Sequence, residues 1–312
     1  MDFEPFRGEL AAYCYRMLGS SHEAEDLVQE TMLRAWQARE RYDPARASVR
    51  TWLYRIATNA CLTALDGRAR RPLPSGLGAA SDDTGAPLVP ALDIPWLQPF
   101  PDARFDVGVR ADMRLALVAA MQVLPPRQRA VLVLREVLQF SAAEVATQLS
   151  TTVASVNSAL QRARVALADV GDIGAVAEPD DPEVRAAIQR YVLAFEAADV
   201  DGLVQLVTDD VVMEMPPVPL WFVGRTDYGQ FLRRVFDMNG TGWKMRQLTA
   251  NGQPALAAYV PEQAGGYRLH TLQVFTVTGG LVACNVVFTD PAVHALFDLP
   301  KQISADEFRA VR

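Results

Sequence analysis

Lysine is nearly absent from this chain: Lys244 and Lys301 are the only two in 312 residues. Arginine carries the remaining positive charge and is outnumbered by acids, leaving a net charge of −7. That balance excludes a protein that holds nucleic acid by overall charge, because phosphate neutralisation supplies most of such affinity. Any contact with nucleic acid has to be local and helped by a partner. Cysteine is equally scarce. Cys14, Cys61 and Cys284 stand far apart, match no metal spacing and exclude a disulfide framework. His22, His270 and His294 form no cluster with them. No metal and no cofactor are therefore expected. No apolar run approaches a membrane span, and the opening MDFEPFRGEL lacks the form of a basic-then-apolar leader. A cytoplasmic protein without a membrane partner is expected.

Composition divides the chain. Residues 1–71 are helical in pattern, with few breakers. Residues 72–108 carry Pro72, Pro74, Pro87, Pro90, Pro95, Pro99 and Pro101 among Gly, Ser and Asp, which reads as an extended linker. Within it, residues 94–102 set Trp96 and Phe100 on a stiff backbone, so this piece is expected to dock on something. Residues 109–170 are helical again, and 171–181 form a short acidic tether. A third domain over 182–300 opens with Pro182 near a helix start and a buried face of Val184, Ile188, Tyr191, Val192 and Phe195. A short helix over Val200–Val207 follows. Strand-like runs come next at Val211–Met215, Trp243–Leu248, Ala255–Tyr259, Tyr267–Thr276 and Leu281–Phe288. Helices followed by a curled antiparallel sheet read as α+β. Residues 301–312 form a tail.

Residues 140–168 read as two helices joined by a sharp turn. Ser141 and Glu144 have the spacing of a capping box, and Thr151-Thr152 gives a second start. Val153, Val156, Leu160, Ala163 and Leu167 then mark one apolar stripe. The opposite face offers Ser155, Ser158, Gln161 and Arg162, short polar groups followed by a cation, which is the chemistry of a major-groove helix. Upstream, His22–Arg39 is amphipathic, with Ala24, Leu27, Val28, Thr31 and Ala35 on one face. Asp26, Gln29, Glu30 and Leu33 lie on another, which suits either a protein-binding surface or a solvated face. In residues 46–60 a core stripe of Val49, Leu53, Ile56, Ala57 and Ala60 opposes Arg55, Thr58 and Asn59. Trp52 and Tyr54, interleaved with Arg46, Arg50 and Arg55, either receive unstacked bases or belong to the core.

DLVQETMLRAW, RTWLYRIATNACL, the closing Arg70-Arg71, LPPRQRAVLVLREVLQFSAAEVA and TTVASVNSALQRAR together resemble the extracytoplasmic-function sigma factors of bacterial RNA polymerase. The resemblance covers about residues 5–71 and 110–170. It implies that Asp26, Gln29, Glu30 and Leu33 dock on the clamp helices of the polymerase β′ subunit. It implies that Arg55 and Asn59 face the −10 element, that the loop from Tyr42 to Ala47 captures a flipped base, and that Arg70 and Arg71 touch phosphate. Ser155, Asn157, Ser158, Gln161, Arg162 and Arg164 would read the −35 element. Pro125 and Arg127 would open a helix that contacts polymerase, at the β flap. The linker would thread the polymerase cleft. Core polymerase and promoter DNA are the implied partners, and the free protein would be a monomer.

The extra part resembles the cone-shaped domain of SnoaL-type polyketide cyclases, ketosteroid isomerases and nuclear transport factor 2. The implied fold is thus multidomain: two all-α sigma domains, the second with a helix-turn-helix, plus an α+β SnoaL/NTF2-like cone with a curved antiparallel sheet. A cone of this kind can hold a small apolar ligand. Met213, Met215, Trp221, Phe222, Tyr228, Trp243, Tyr259, His270, Phe275 and Asn285 are candidates to line it. Glu214 alternates with Met213 and Met215 and is expected to point outward. No acid–base pair is evident, so the cone is expected to regulate by contact within the chain and not by catalysis. The alternative is a bifunctional protein whose cone is a small-molecule isomerase, cyclase or ligand sensor.

Overall fold

Short polar caps set where the second and third helices begin. The structure, a computed structural model, describes residues 2–104, 113–168, 178–263 and 265–310. The expected linker end at 108, most of the tether over 171–181 and the last tail residues lie outside these. Helix α1 (Arg7–Leu18) stops at Gly19, whose φ of 66° is the left-handed cap that glycine supplies at little cost. Ser20 accepts from the Glu23 amide to start α2 (Ser21–Ala38), and Ser48 accepts from the Thr51 amide to start α3 (Val49–Leu65). Their core is aromatic: Tyr13 and Tyr54 meet edge-on at 5.2 Å. Thr58, expected beside Arg55 and Asn59, is buried instead. Its hydroxyl donates to the Tyr54 carbonyl (2.6 Å) and accepts from Tyr13 (2.7 Å). A β-branched hydroxyl that can bond back to the fourth preceding carbonyl tolerates such a core.

Helices α4 (Leu115–Gln122), α5 (Pro126–Leu132, continued by one π turn over Val133–Val137), α6 (Ala142–Gln148) and α7 (Val153–Leu167) complete this unit. The Ser141–Glu144 capping box is formed in both directions. The turn between α6 and α7 places Ser150 at φ 51°, and Thr152 caps α7. The stripe on α7 is Val156, Ala159, Leu160 and Ala163, all buried, whereas Val153 is exposed in the first turn.

Residues 1–71 and 102–173 form one compact unit, and Arg129 is its clamp. Its guanidinium is buried and donates to the carbonyls of Met17, Gln122 and Leu124 and to the Gln122 side chain. Met17 lies at the end of α1 and Gln122 at the end of α4, where unsatisfied carbonyls and the helix dipoles favour a cation. Burial nonetheless pulls the Arg129 pKa down to about 10.

Residues 72–101 and 174–312 form the second unit. Helices α8 (Pro182–Glu196) and α9 (Val200–Gln205) precede β1 (Val207–Glu214), β2 (Trp221–Val223) and α10 (Arg225–Asn239). Strands β3 (Lys244–Ala250), β4 (Gln253–Pro261), β5 (Tyr267–Thr278) and β6 (Leu281–Phe288) follow, then α11 (Pro291–Leu296), β7 (Gln302–Ile303) and α12 (Ala305–Ala310). The sheet order is β2-β1-β6-β5-β4-β3, with β7 on β5. Adjacent strands are antiparallel except β1 and β6, which run parallel, so the sheet is mixed and not purely antiparallel. Register shifts at 258/259 on β4 and at 276/277 on β5 bend it. The main core packs Tyr191, Phe195, Phe231, Phe236 and Trp243 against Met213, Phe222 and Phe275. A smaller cluster holds Tyr259, Leu269, Ile303 and Phe308.

Replacing Arg129 by Met should destabilise the first unit by about 2–4 kcal/mol, since hydrogen bonds to a charged donor contribute about 1.5–3 kcal/mol each and three carbonyls lose theirs. Urea unfolding of the full chain checks this, and a change below 1 kcal/mol in that transition would remove Arg129 from its role.

Candidate nucleic-acid and polymerase interfaces

Helix α2 presents a continuous outer face. Asp26, Gln29 and Leu33 are exposed, and Glu30 pairs with Arg34 at 2.6 Å. Leu33 is 56% and Trp36 53% exposed, a large apolar pair beside acids and an amide. Arg39 stacks over Trp36 at 4.2 Å. Trp36 escaped the sequence reading although it lies three residues beyond Leu33, the spacing that puts it on the same face. An exposed leucine and tryptophan, on the same helix as Asp26 and Glu30 and with Arg39 over the indole, form a surface that a partner with apolar groups would cover.

Arg55 and Asn59 are exposed one turn apart on α3. Beside them is a cavity of about 180 Å³ lined by Arg41, Tyr42, Arg46, Trp52 and Arg55, with Thr147 and Gln148 of α6 on its far side. Tyr42 donates to the Ala47 carbonyl (2.9 Å) and packs on Trp52 at 5.0 Å, which holds the loop open. Trp52 is 9% exposed and packs into the core, with one side forming a wall of the cavity. Tyr54 is fully buried and is core. Arg71 is half-buried against Glu23 at 2.8 Å, and Arg68 shares that carboxylate at 2.9 Å. Arg70 is exposed beside them.

On α7, Ser155, Asn157, Ser158, Gln161, Arg162 and Arg164 are all exposed. Arg162 donates to Ser158 at 2.7 Å, and Arg164 pairs with Glu136 at 2.8 Å. Pro125 and Arg127 are exposed at the start of α5.

The second unit encloses a cavity of about 220 Å³. Of the candidate lining residues, Met213, Met215, Trp243, His270 and Asn285 are in its wall. Tyr228 stands behind Asn285, its hydroxyl accepting from the amide at 3.3 Å and bonded to the Tyr191 hydroxyl at 2.7 Å. Trp221 instead donates its indole N–H to the Gly78 carbonyl (3.0 Å), and Tyr259 packs on Phe308 in the smaller cluster. Phe222 and Phe275 belong to the main core. Glu214 does not point outward: it is buried and accepts from the Ser75 amide at 3.0 Å. Burial raises its pKa, and the hydrogen bonds from Ser75 oppose that. Residues 72–101, the greater part of the expected extended linker whose 94–102 stretch was to dock, are attached to this unit along their length. The Ser81 amide donates to the Trp221 carbonyl and the Ala91 amide to the Pro217 carbonyl, both at 2.9 Å. Arg234 donates to the carbonyls of Thr84 and Ala86, and Phe100 exchanges two hydrogen bonds with Asn251. Most of these bonds use backbone groups, which side-chain patterns do not reveal. Among the described residues no group of acids, His and Cys could hold a metal, and no helix is long and apolar enough to cross a membrane.

Residues 3–71 match the family model Sigma-70 region 2, residues 114–167 match Sigma-70 region 4, and residues 188–285 match the SnoaL-like domain. The chain is 47% identical to the ECF RNA polymerase sigma factor SigG of Mycobacterium tuberculosis, over 96% of this chain and 83% of that protein. It belongs to the ECF RNA polymerase sigma factors. SigJ, another ECF sigma factor of Mycobacterium tuberculosis, is 30% identical over 67% of this chain and 62% of its own length. The crystal structure of SigJ superposes with a TM-score of 0.66 at 25% identity, covering 96% of this chain and 99% of that one. The protein is therefore a sigma factor and not an enzyme, with two helical sigma domains and a SnoaL-like α+β domain fused behind them.

His270 of this sigma factor packs edge-on against Trp243 at 5.0 Å. Burial, with smaller contributions from Arg268 and His294, pulls its pKa from 6.5 down to about 4. The folded protein therefore keeps His270 neutral where the unfolded chain would protonate it. Stability is unaffected above about pH 6.5 and drains away as pH falls from there to about 4, by up to about 3 kcal/mol. His270→Gln should flatten that part of the pH–stability curve of the second unit, followed by denaturant unfolding at stepped pH. An unchanged slope would mean that His270 does not titrate in this window.

Proposed function

We propose that this sigma factor docks on core RNA polymerase through the α2 face, captures a promoter base in the Tyr42–Ala47 loop and reads the −35 element with α7. Asp26, Gln29, Glu30 and Leu33 contact the β′ clamp in this reading, and Trp36 extends that contact. The α5 start at Pro125 and Arg127 meets the β flap. Arg55, Asn59, Arg70 and Arg71 serve the −10 element, and Ser155, Asn157, Ser158, Gln161, Arg162 and Arg164 the −35 element. The cationic, aromatic-walled cavity beside Arg55 carries the proposal. A cavity of about 150 Å³ is enough for benzene, so about 180 Å³ suits one unstacked base. The polymerase places the protein in the cytoplasm.

Size then dictates a conformational step. A compact unit of roughly 140 residues has a radius of gyration near 15 Å and a diameter of about 40 Å. The two promoter elements are about 25 base pairs apart, roughly 85 Å at about 3.4 Å per pair. The closed unit cannot span them, so the α1–α3 and α4–α7 halves separate on polymerase. Two features make that separation affordable. Thr147 and Gln148 cover the base cavity only by contact, and both polar atoms of the buried Gln148 side chain lack a partner. Each unpaired buried group costs about 1–3 kcal/mol, and opening returns it to water.

We further infer that the SnoaL-like domain regulates the factor by holding residues 72–101. The same segment cannot lie along this domain and thread the polymerase cleft at once, so attachment competes with assembly.

Reconstitution with core bacterial polymerase tests the first reading. Reversing charge at Asp26 and Glu30 should weaken assembly at least tenfold with the fold intact. Arg162→Ala should cost about 1–3 kcal/mol on the preferred −35 sequence and relax that preference. Normal assembly of the first variant, or an unchanged sequence profile in the second, would overturn the corresponding assignment.

The regulatory reading has a separate test. Glu214→Ala with Arg234→Ala removes two holds on residues 72–101 without touching the sigma domains. Transcription from a fixed promoter should rise several-fold with the same start site. Output equal to wild type would show that attachment of this segment does not limit activity.

A further inference from the structure

The cavity of the SnoaL-like domain is apolar but not complete in itself. Met213, Met215, Leu232, Trp243 and Val287 are among its mostly apolar lining, and none of its lining residues is Asp, Glu, Lys or Arg. Two hydrogen-bonding groups in that wall are left over. Asn285 is 1% exposed, and its Nδ2 donates to Gln273 (3.1 Å) and Tyr228 (3.3 Å). Its Oδ1 has no partner. The Nδ1 of His270 is also buried without a partner. An unmet buried acceptor costs about 1–3 kcal/mol and calls for an explanation, and a guest that donates to it supplies one.

The wall also includes Leu88, which comes from the linker and not from the domain itself. The linker is attached on both sides of Leu88: the Ala86 carbonyl accepts from Arg234 at 2.8 Å, and the Ala91 amide donates to the Pro217 carbonyl at 2.9 Å. Anything that fills the cavity touches Leu88 only while the linker is in place.

We propose that this cavity receives a small neutral molecule, mostly apolar, that carries one hydroxyl or amide N–H donor to Asn285, and that its presence holds the linker down. The absence of charged lining groups excludes an ionic ligand, because burying an unpaired charge is prohibitive. Compared with the roughly 150 Å³ that holds benzene, about 220 Å³ admits a guest of about ten non-hydrogen atoms. The sign of the coupling follows from Leu88. A guest gains that contact only in the attached state, so it favours attachment and attachment favours the guest by the same factor. Binding itself needs no polymerase. The effect on transcription rests on the regulatory reading above, and binding would stand if that reading failed.

Calorimetry on the full chain with 2-naphthol and with its donor-free methyl ether, 2-methoxynaphthalene, tests the site. Naphthol should bind saturably at one site and at least tenfold more tightly than the ether. In Asn285→Leu the two should bind equally. Hydrogen exchange at the Ser81 and Ala91 amides, which report linker attachment, should slow when naphthol is bound. In Leu88→Ala, a half-buried position whose trimming spares the core, naphthol should still bind without slowing those amides. No saturable binding, or equal affinity for naphthol and ether in the wild-type protein, overturns the site. Binding without slower exchange in the wild-type protein overturns the coupling. Should Asn285→Leu fail to fold, Leu88→Trp, which fills the cavity from the linker side, should abolish naphthol binding, and unimpaired binding there overturns the site.

Discussion

One buried guanidinium holds the sigma domains together. Arg129 reaches the carbonyl ends of α1 and α4, so it belongs to both halves of the unit at once. It has no buried carboxylate among these partners. Its compensation is a ring of carbonyls at helix ends, where partial negative charge is already concentrated. This choice has a consequence for motion. Two oppositely charged side chains drawn apart would each keep a bare charge, whereas carbonyls at helix ends can turn to water. A cation on helix ends is a clamp that can be opened. The cation–π contacts of Arg50 with Phe140 and Tyr54, at 4.8 and 5.1 Å, are of the same reversible kind.

The second unit follows a parallel logic with backbone bonds. A proline-rich segment builds no α-helix or strand of its own, so some of its amides and carbonyls turn to a neighbour. Ser75, Ser81, Ala91 and Phe100 use their amides in that way. Glu214, Trp221, Arg234 and Asn251 meet it through side chains, and Glu214 is the residue whose direction strand alternation misjudged. A carboxylate buried on a strand is disfavoured on its own and becomes tolerable once an amide points at it. The linker is therefore part of what makes that strand acceptable.

The legible parts of the sequence were those governed by local rules. Caps at Ser141 and Thr152, the exposed faces of α2 and α7, and the helical or strand character of most segments all follow from neighbours within one or two turns. Nonlocal features were harder. The parallel pairing of β1 with β6 depends on strands about 70 residues apart. Helix α10 carries Tyr228, Phe231, Leu232 and Phe236 on one face, so its pattern was present. Gly229 in its middle reads as a breaker, yet a Cβ there would stand 2.7 Å from Val204. That glycine allows α10 to lie close on α9, which no spacing rule anticipates. Of the cavity candidates, five face the chamber and Trp221 and Tyr259 do not, because a large aromatic on a strand suits a core as well as a cavity.

An acidic chain can still serve DNA because its cations are gathered and its attachments are weak. Arg41, Arg46 and Arg55 surround one cavity whose lining includes a single acid, Asp43. Polymerase supplies the effective concentration that overall charge does not. Weak attachment is also what the proposed regulation requires. Each linker hydrogen bond contributes about 0.5–1.5 kcal/mol net, so the set amounts to a few kcal/mol. A guest at one hundred times its dissociation constant adds about 2.7 kcal/mol, which is comparable. Leu73, Trp96, Leu97 and Phe100 bury the ends of the strip, whereas residues 78–91 are held mainly by hydrogen bonds, and there a modest binding energy is enough to shift the balance.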